Sequence, residues 1–214
     1  EGVLAVIVMA GLAGWFAAGY SGTIVPAWAN LLLLVLIYLT VYATSMIYAS
    51  LKTVARWYHP LTPVCYLMFA AAGGLLATLA MLALLGLPIT AALAQAGIVL
   101  MLSAWGVKLA WWRLAGMARH AGSVESATGL GHLGTVKPLM PPHTEENYLQ
   151  HGMGFVVARK HADKLRIFAI GLGGVLPIIV LLVAPASAAA LGFAVLSHVA
   201  GMLVERWLFF AEAK

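Results

Sequence analysis

Arg56, Trp57, Tyr58 and His59 stand side by side, with Tyr48 eight residues before Arg56. A quinone site needs flat aromatic walls, donors for two carbonyl oxygens and a titratable group that exchanges protons with water. These five residues supply those types together. An interfacial anchor of Trp, Tyr and Arg uses the same residues, so both readings stand at this point. On the same strip Tyr38, Tyr42, Ser45 and Ala49 recur at helical spacing. Tyr38 falls near the centre of an apolar run, where a phenol needs an internal partner or a polar ligand.

Other reactive types are sparse. Lys108 lies among Trp105, Trp111 and Trp112, and Glu205-Arg206 lies near the end of a second apolar run. Aromatics so placed read as an interfacial belt, with the charged side chains reaching out to the headgroups. Buried ionisable groups in lipid are nevertheless functional candidates. A b-type haem needs paired intramembrane histidines, but only His198 lies well within an apolar run. It reads as a hydrogen-bonded residue between helices, and no haem is expected in this chain. His120, His132, His143, His151 and His161 lack the close pairing of a zinc site, so no metal is expected either. The single cysteine, Cys65, cannot build a disulfide framework or an iron–sulfur site alone. Phosphate-binding loops, nucleophile elbows and dinucleotide fingerprints are absent, which excludes a self-contained soluble enzyme.

The elements that must carry these residues follow from composition. Of 214 residues 63% are apolar and only 9% charged, and the mean hydropathy is +0.98. A soluble globule carries roughly a quarter charged residues, so this chain belongs in a bilayer. Six runs approach the roughly 20 residues that cross the hydrocarbon core: 2–19, 27–50, 64–85, 89–112, 167–184 and 187–210. Their unbroken Ala, Gly and Leu content excludes a β-barrel, whose strands alternate. The fold class expected is all-α, a polytopic helix bundle forming one membrane domain. Small residues at Gly11 with Gly14, 70–74 and 171–174 mark candidate close helix contacts.

Connections 20–26, 86–88 and 185–186 carry no charge, whereas all twelve Lys and Arg fall at the other end. The positive-inside rule makes that end cytoplasmic, and anionic headgroups explain the net charge of +5 better than nucleic acid does. The expected location is the bacterial inner membrane. Segment 113–166 is the one long connection and holds five of the seven histidines. Thr144 with Glu145-Glu146 reads as a helix start after Pro141-Pro142, and 155–167 as a basic helical lead into the fifth span. A connection this long normally has a task. Docking a soluble partner is the simplest, with Pro141, Pro142, His143, Thr144, Tyr148, Arg159 and Lys160 as the contact residues.

Two groups of motifs resemble a known family. Residues 46–51 (MIYASL), Thr53-Val54, Trp57-Tyr58 and Thr62-Pro63 resemble the membrane anchor subunit of the dimethyl sulfoxide reductase type (the DmsC family). The runs 140–149 (MPPHTEENYL) and 154–162 (GFVVARKHA), with the ending 205–213 (ERWLFFAEA), are more similar to the branch anchoring cytoplasmic sulfite dehydrogenases (SoeC-like). Such anchors have eight spans. Glu1-Gly2-Val3 resembles the opening of the family's third span, so two preceding spans are expected beyond this sequence, which begins without methionine.

The resemblance implies a heterotrimer. A molybdopterin subunit performs the substrate chemistry, an iron–sulfur subunit relays electrons, and the anchor exchanges them with the quinone pool, ubiquinone or menaquinone. It implies a proton-exchanging role for Glu1, quinone-site roles for Tyr48, Trp57 and Tyr58, and a match for Arg206 to a family arginine. His59 has no family counterpart and rests on its chemistry. A cytoplasmic basic end favours sulfite oxidation with electrons delivered to quinone, against a quinol-oxidising anchor of a dimethyl sulfoxide reductase. The rival of another class is a small transporter or scaffold. A transporter should show inverted repeats with broken helices; Pro177 breaks the fifth span, and no matching break is visible in the other half.

Overall fold

The structure is a computed structural model that describes residues 1–52, 54–117, 124–137 and 156–212. Six helices, or helix pairs, are long and apolar enough to cross a membrane. They are α1 (Gly2–Tyr20), α2 (Ala27–Ala49), α3 (Leu61–Leu84), α4 (Ala91–Gly116), the pair α7 (Ala162–Ile170) and α8 (Leu176–Val183), and α9 (Ala188–Ala211). Two short helices, α5 (Val124–Thr128) and α6 (Val156–Lys160), lie in the long connection. No strand occurs among the described residues. The chain is a multi-pass membrane protein.

The uncharged ends are closed by local backbone chemistry. Gly22 and Gly86 adopt positive φ of 72° and 68°, and the amides that follow them reach back into the last helical turn, Thr23 N–H to the Ala18 carbonyl and Leu87 N–H to that of Leu82. Only glycine takes this conformation without strain, which is why α1 and α3 stop there. Thr90 and Ser187 start α4 and α9 by accepting the Leu93 and Ala190 amides, each at 3.3 Å.

Helix α3 is the hub, packed against α2, α4 and α9, while α9 also packs on α7 and α8 and α4 on α8. Helix α1 packs mainly on α2. Burial follows this order, with one buried residue each in α1 (Val8) and α2 (Ser45), against nine each in α4 and α9. The inner bundle is therefore α3, α4, α7–α8 and α9, with α2 and α1 laid on its α3 side.

Pro177 shapes the α7–α8 pair. Between the two helices lies one wide turn of π-helix, Gly171–Val175. Pro177 has no N–H to return four residues to Gly173 or five to Leu172, and side chains of α9 take those carbonyls instead. Ser197 Oγ donates to Leu172 O at 2.7 Å and His198 Nδ1 to Gly173 O at 2.6 Å. Close packing accompanies the exchange. A Cβ at Gly174 would lie 2.6 Å from the Trp105 ring, and one at Gly201 would collide with the Gly173 backbone. The expected small-residue contact at 171–174 is present, with Gly201 as its unforeseen partner.

Three expectations need correction. Helix α4 continues to Gly116, so Lys108 sits about 12 Å of helix from the end, at about 1.5 Å per residue. From there it does not reach the headgroups; it is 1% exposed. Glu205 is likewise 0% exposed. The tryptophans Trp105, Trp111 and Trp112 are core residues and not an interfacial belt.

Candidate functional site at the basic end

The N-terminus of α1, the end of α2, the start of α3 and the ends of α4 and α9 meet at the basic end, as contacts between their residues show. Thr44 Oγ1 donates to Glu1 Oε1 at 2.9 Å, Trp57 Nε1 to Phe209 O at 3.0 Å and Trp111 Nε1 to Thr62 Oγ1 at 3.0 Å. The Thr62 hydroxyl in turn donates to Trp57 O at 2.9 Å. This relay ties α4, α3, the α2–α3 connection and α9 into one block.

Around the relay lies an aromatic cluster. Trp57 stacks on Phe209 with ring centres 5.3 Å apart, and Tyr48 meets Trp57 edge to face at 5.1 Å. Tyr66 stacks on Tyr48 at 6.1 Å. Such ring pairs favour edge-to-face and offset geometry, which holds them rigid as a wall.

Buried charge sits against that wall. Lys108 Nζ pairs with Glu205 Oε1, and Arg206 Nε donates to Glu205 Oε2. The ammonium lies 3.8 Å from the Trp111 ring centre, and the Arg206 guanidinium 4.3 Å and 4.6 Å from those of Tyr66 and Phe209. Charges this deep are tolerated only when paired and faced by π-systems.

Beside the cluster, a cleft of about 290 Å³ is lined by Met46, Ala49, Tyr58, His59, Pro60 and Pro63. His59 closes the first turn of α3. Its Nδ1 accepts the Leu61 amide at 3.2 Å, and its carbonyl accepts that of Thr62 at 2.9 Å. With Nδ1 so engaged the neutral ring carries its proton on Nε2. Burial lowers the pKa of His59 from its ordinary 6.5, which keeps the ring neutral at pH 7.

A second charged cluster fastens the end of α9. Glu212 pairs with Arg56 at 3.2 Å and with Arg166. Arg159 Nε donates to the Ala211 carbonyl at 2.8 Å, a cation on the negative end of the helix.

The seven quinone-site candidates thus divide. Tyr48, Trp57 and Arg206 share the aromatic cluster, Tyr58 and His59 line the neighbouring cleft, Arg56 serves Glu212, and Glu1 is held by Thr44 one turn before Tyr48 on α2. Of the docking candidates, Arg159 binds α9 and Lys160 is exposed. Pro141, Pro142, His143, Thr144 and Tyr148, with the expected helix start at Thr144, lie outside the described residues. Tyr38 makes no hydrogen bond to another described residue and borders a lipid-facing hollow with Tyr42 and Leu67. Among the described residues no three His, Cys, Asp or Glu side chains gather as a metal site.

The sequence reading sends Lys108 and Glu205 to the headgroups and gives Tyr66 no role, whereas the structure joins all three at the aromatic cluster. The available signal was opposite charge on two otherwise apolar runs, since such groups seek one another in lipid.

No family model matches the chain, and no solved structure matches significantly. The chain is similar to the sulfite dehydrogenase C-subunit of Allochromatium vinosum, with 28% identity over 180 residues, 80% of this chain and 53% of the relative. It spans about half the length of that curated relative.

Proposed function

We propose that this chain is the membrane subunit of a sulfite-oxidising complex and passes electrons to a quinone at its basic end. The similarity to the sulfite dehydrogenase C-subunit and the six apolar helices support the membrane-subunit reading. The observation that carries the quinone reading is the cleft at Tyr58 and His59, backed by the aromatic cluster. Ligand pockets for whole small molecules run from about 300 Å³ upward, so this cleft suits a quinone head group with its tail left in lipid.

His59 Nε2–H and the Tyr58 hydroxyl are the donors available to a carbonyl oxygen. Glu1, at the edge of α2, serves as the carboxylate exchanging protons with water, and Tyr48, Trp57, Arg56 and Arg206 hold the surrounding wall and field. An iron–sulfur subunit and a molybdopterin catalytic subunit dock on the same end, through 141–148 with Arg159 and Lys160, on the cytoplasmic side of a bacterial inner membrane. Sulfite chemistry and metal redox chemistry belong to those partners.

The test is quinone-coupled turnover of the assembled complex carrying Tyr58→Phe, His59→Gln or Glu1→Gln. Turnover falls at least tenfold in His59→Gln while the subunits still copurify. Wild-type turnover in all three variants rejects this site.

A further inference from the structure

The cleft at Tyr58 and His59 continues beyond its own lining. On α2 it is walled by Met46 and Ala49, and on α3 by Pro63. One turn farther into the membrane on each helix stand Tyr42 and Leu67, which line a second hollow of about 390 Å³. That hollow runs on past Leu39, Tyr38 and Val35 to Leu34. The α2 residues of both hollows recur at spacings of three and four, so they share one face of the helix. Together the hollows trace one groove along the contact between α2 and α3. From Ala49 to Leu34 it follows 15 residues of α2, about 22 Å of helix at about 1.5 Å per residue.

Helix α1 meets α2 through other residues, Gly11 against Leu33 and Glu1 against Thr44. The groove is open to lipid, with Leu39 and Tyr42 each 45% exposed. Its head shows which chain it suits. A phospholipid chain lying there brings its phosphate to the cleft, and among the described residues the cleft lining has no Lys or Arg to receive it. The donors present, the Tyr58 hydroxyl and His59 Nε2–H, are neutral at pH 7 and suit a carbonyl oxygen. Farther in, Tyr38 and Tyr42 add flat ring surface, which matches the planar double-bonded units of a prenyl chain.

We propose that the groove between α2 and α3 binds the polyprenyl tail of the quinone, which leaves the head group at Tyr58 and His59 and lies past Leu67 and Tyr42 toward Leu34. The inference rests on the quinone reading above and adds the tail subsite to it. A prenyl tail and lipid chains are equally apolar, so the groove gains no hydrophobic free energy by taking the tail out of lipid. It selects by shape and by dispersion contacts, each of them small. The tail in turn fixes the direction from which the head group enters the cleft.

The experiment uses the assembled complex in lipid nanodiscs and two quinones with the same head group, one polyprenylated and one bearing a methyl in place of the tail. The readout is the preference, the ratio of kcat/KM for the first over the second. Leu39→Trp and Leu67→Trp fill the groove, and Leu203→Trp on α9, at a residue 67% exposed, is the control of equal bulk. The expected result is a preference lowered about three- to tenfold in both groove variants, as loss of dispersion contacts allows, and unchanged in the control. An unchanged preference in both groove variants overturns the proposal and leaves the groove to lipid chains. An equal fall with both quinones overturns it too, since the groove then shapes the cleft and not the path of the tail. Wild-type complex that reduces neither quinone instead rejects the quinone reading, and the tail subsite falls with it.

Discussion

His198 donates from Nδ1 to the carbonyl of Gly173 at 2.6 Å, four residues before Pro177, so a side chain of α9 replaces the backbone donor that proline removed from the fifth span. The histidine that alone lay deep in an apolar run is thereby committed to helix pairing. Its ring also fills the space above Gly73, where an added Cβ would approach Nε2 to 3.0 Å.

This exchange predicts a specific rescue. His198→Ala leaves the Gly173 carbonyl without its side-chain donor and costs about 1–3 kcal/mol. Pro177→Ala restores a backbone N–H, so the same His198 substitution costs less in that background. A double-mutant cycle on thermal unfolding in detergent measures the coupling; strictly additive losses would show that the proline and the histidine are independent.

Helix crossing at Gly201 is equally testable. Gly201→Ala places a methyl into the Gly173 backbone, where rigid neighbours cannot yield, and overpacking of this kind costs about 1–3 kcal/mol or more. Gly192→Ala on the same helix meets open space and should leave the melting temperature unchanged. Equal behaviour of the two variants would contradict the contact.

The buried charges respond unequally to neutralisation. Glu205→Gln strands both Lys108 and Arg206, and breaking a buried pair in this way costs about 3–5 kcal/mol. Lys108→Met leaves Glu205 paired with Arg206 and costs less. Chemical-denaturant or thermal unfolding of the two variants decides the order, and a larger loss for Lys108→Met would refute the pairing.

For His59 the direction of pH dependence follows from its lowered pKa. The unfolded chain binds a proton at its ordinary 6.5 while the folded ring resists it. Stability from this group is therefore full above pH 6.5 and declines as the pH falls below it, until the folded ring itself is protonated. Thermal unfolding of wild type and His59→Gln across pH 5–8 checks this, the wild type losing more on acidification. Quinone turnover should show an acid limb set by the folded ring, lying below pH 6.5, and lose it in His59→Gln.

Helix number, bilayer placement and the charge asymmetry were legible because they depend on run length and on counting Lys and Arg between runs. The close contact at 171–174 was legible for its small residues, and His198 for its isolation. Helix ends were less so. The fourth run stops at residue 112 in the sequence reading, before Arg113, which puts Lys108 in a last turn near water; α4 instead runs on to Gly116, and a carboxylate 97 positions away makes the burial of Lys108 tolerable. That pairing, like Gly173 with Gly201 and Trp57 with Phe209, joins helices far apart in sequence and leaves no local period. The five candidate residues around Tyr48 to His59 read as one site, but a turn of connecting chain sends Arg56 to Glu212, Trp57 to Phe209 and His59 to the start of α3. Neighbours in sequence face three ways there.

Photolabelling of the assembled complex with an azidoquinone, followed by peptide mapping, locates the bound quinone on this chain. Label should fall on 46–63, between Met46 and Pro63, and diminish in His59→Gln. Label confined to the uncharged end, at 20–26 or 86–88, would contradict the account.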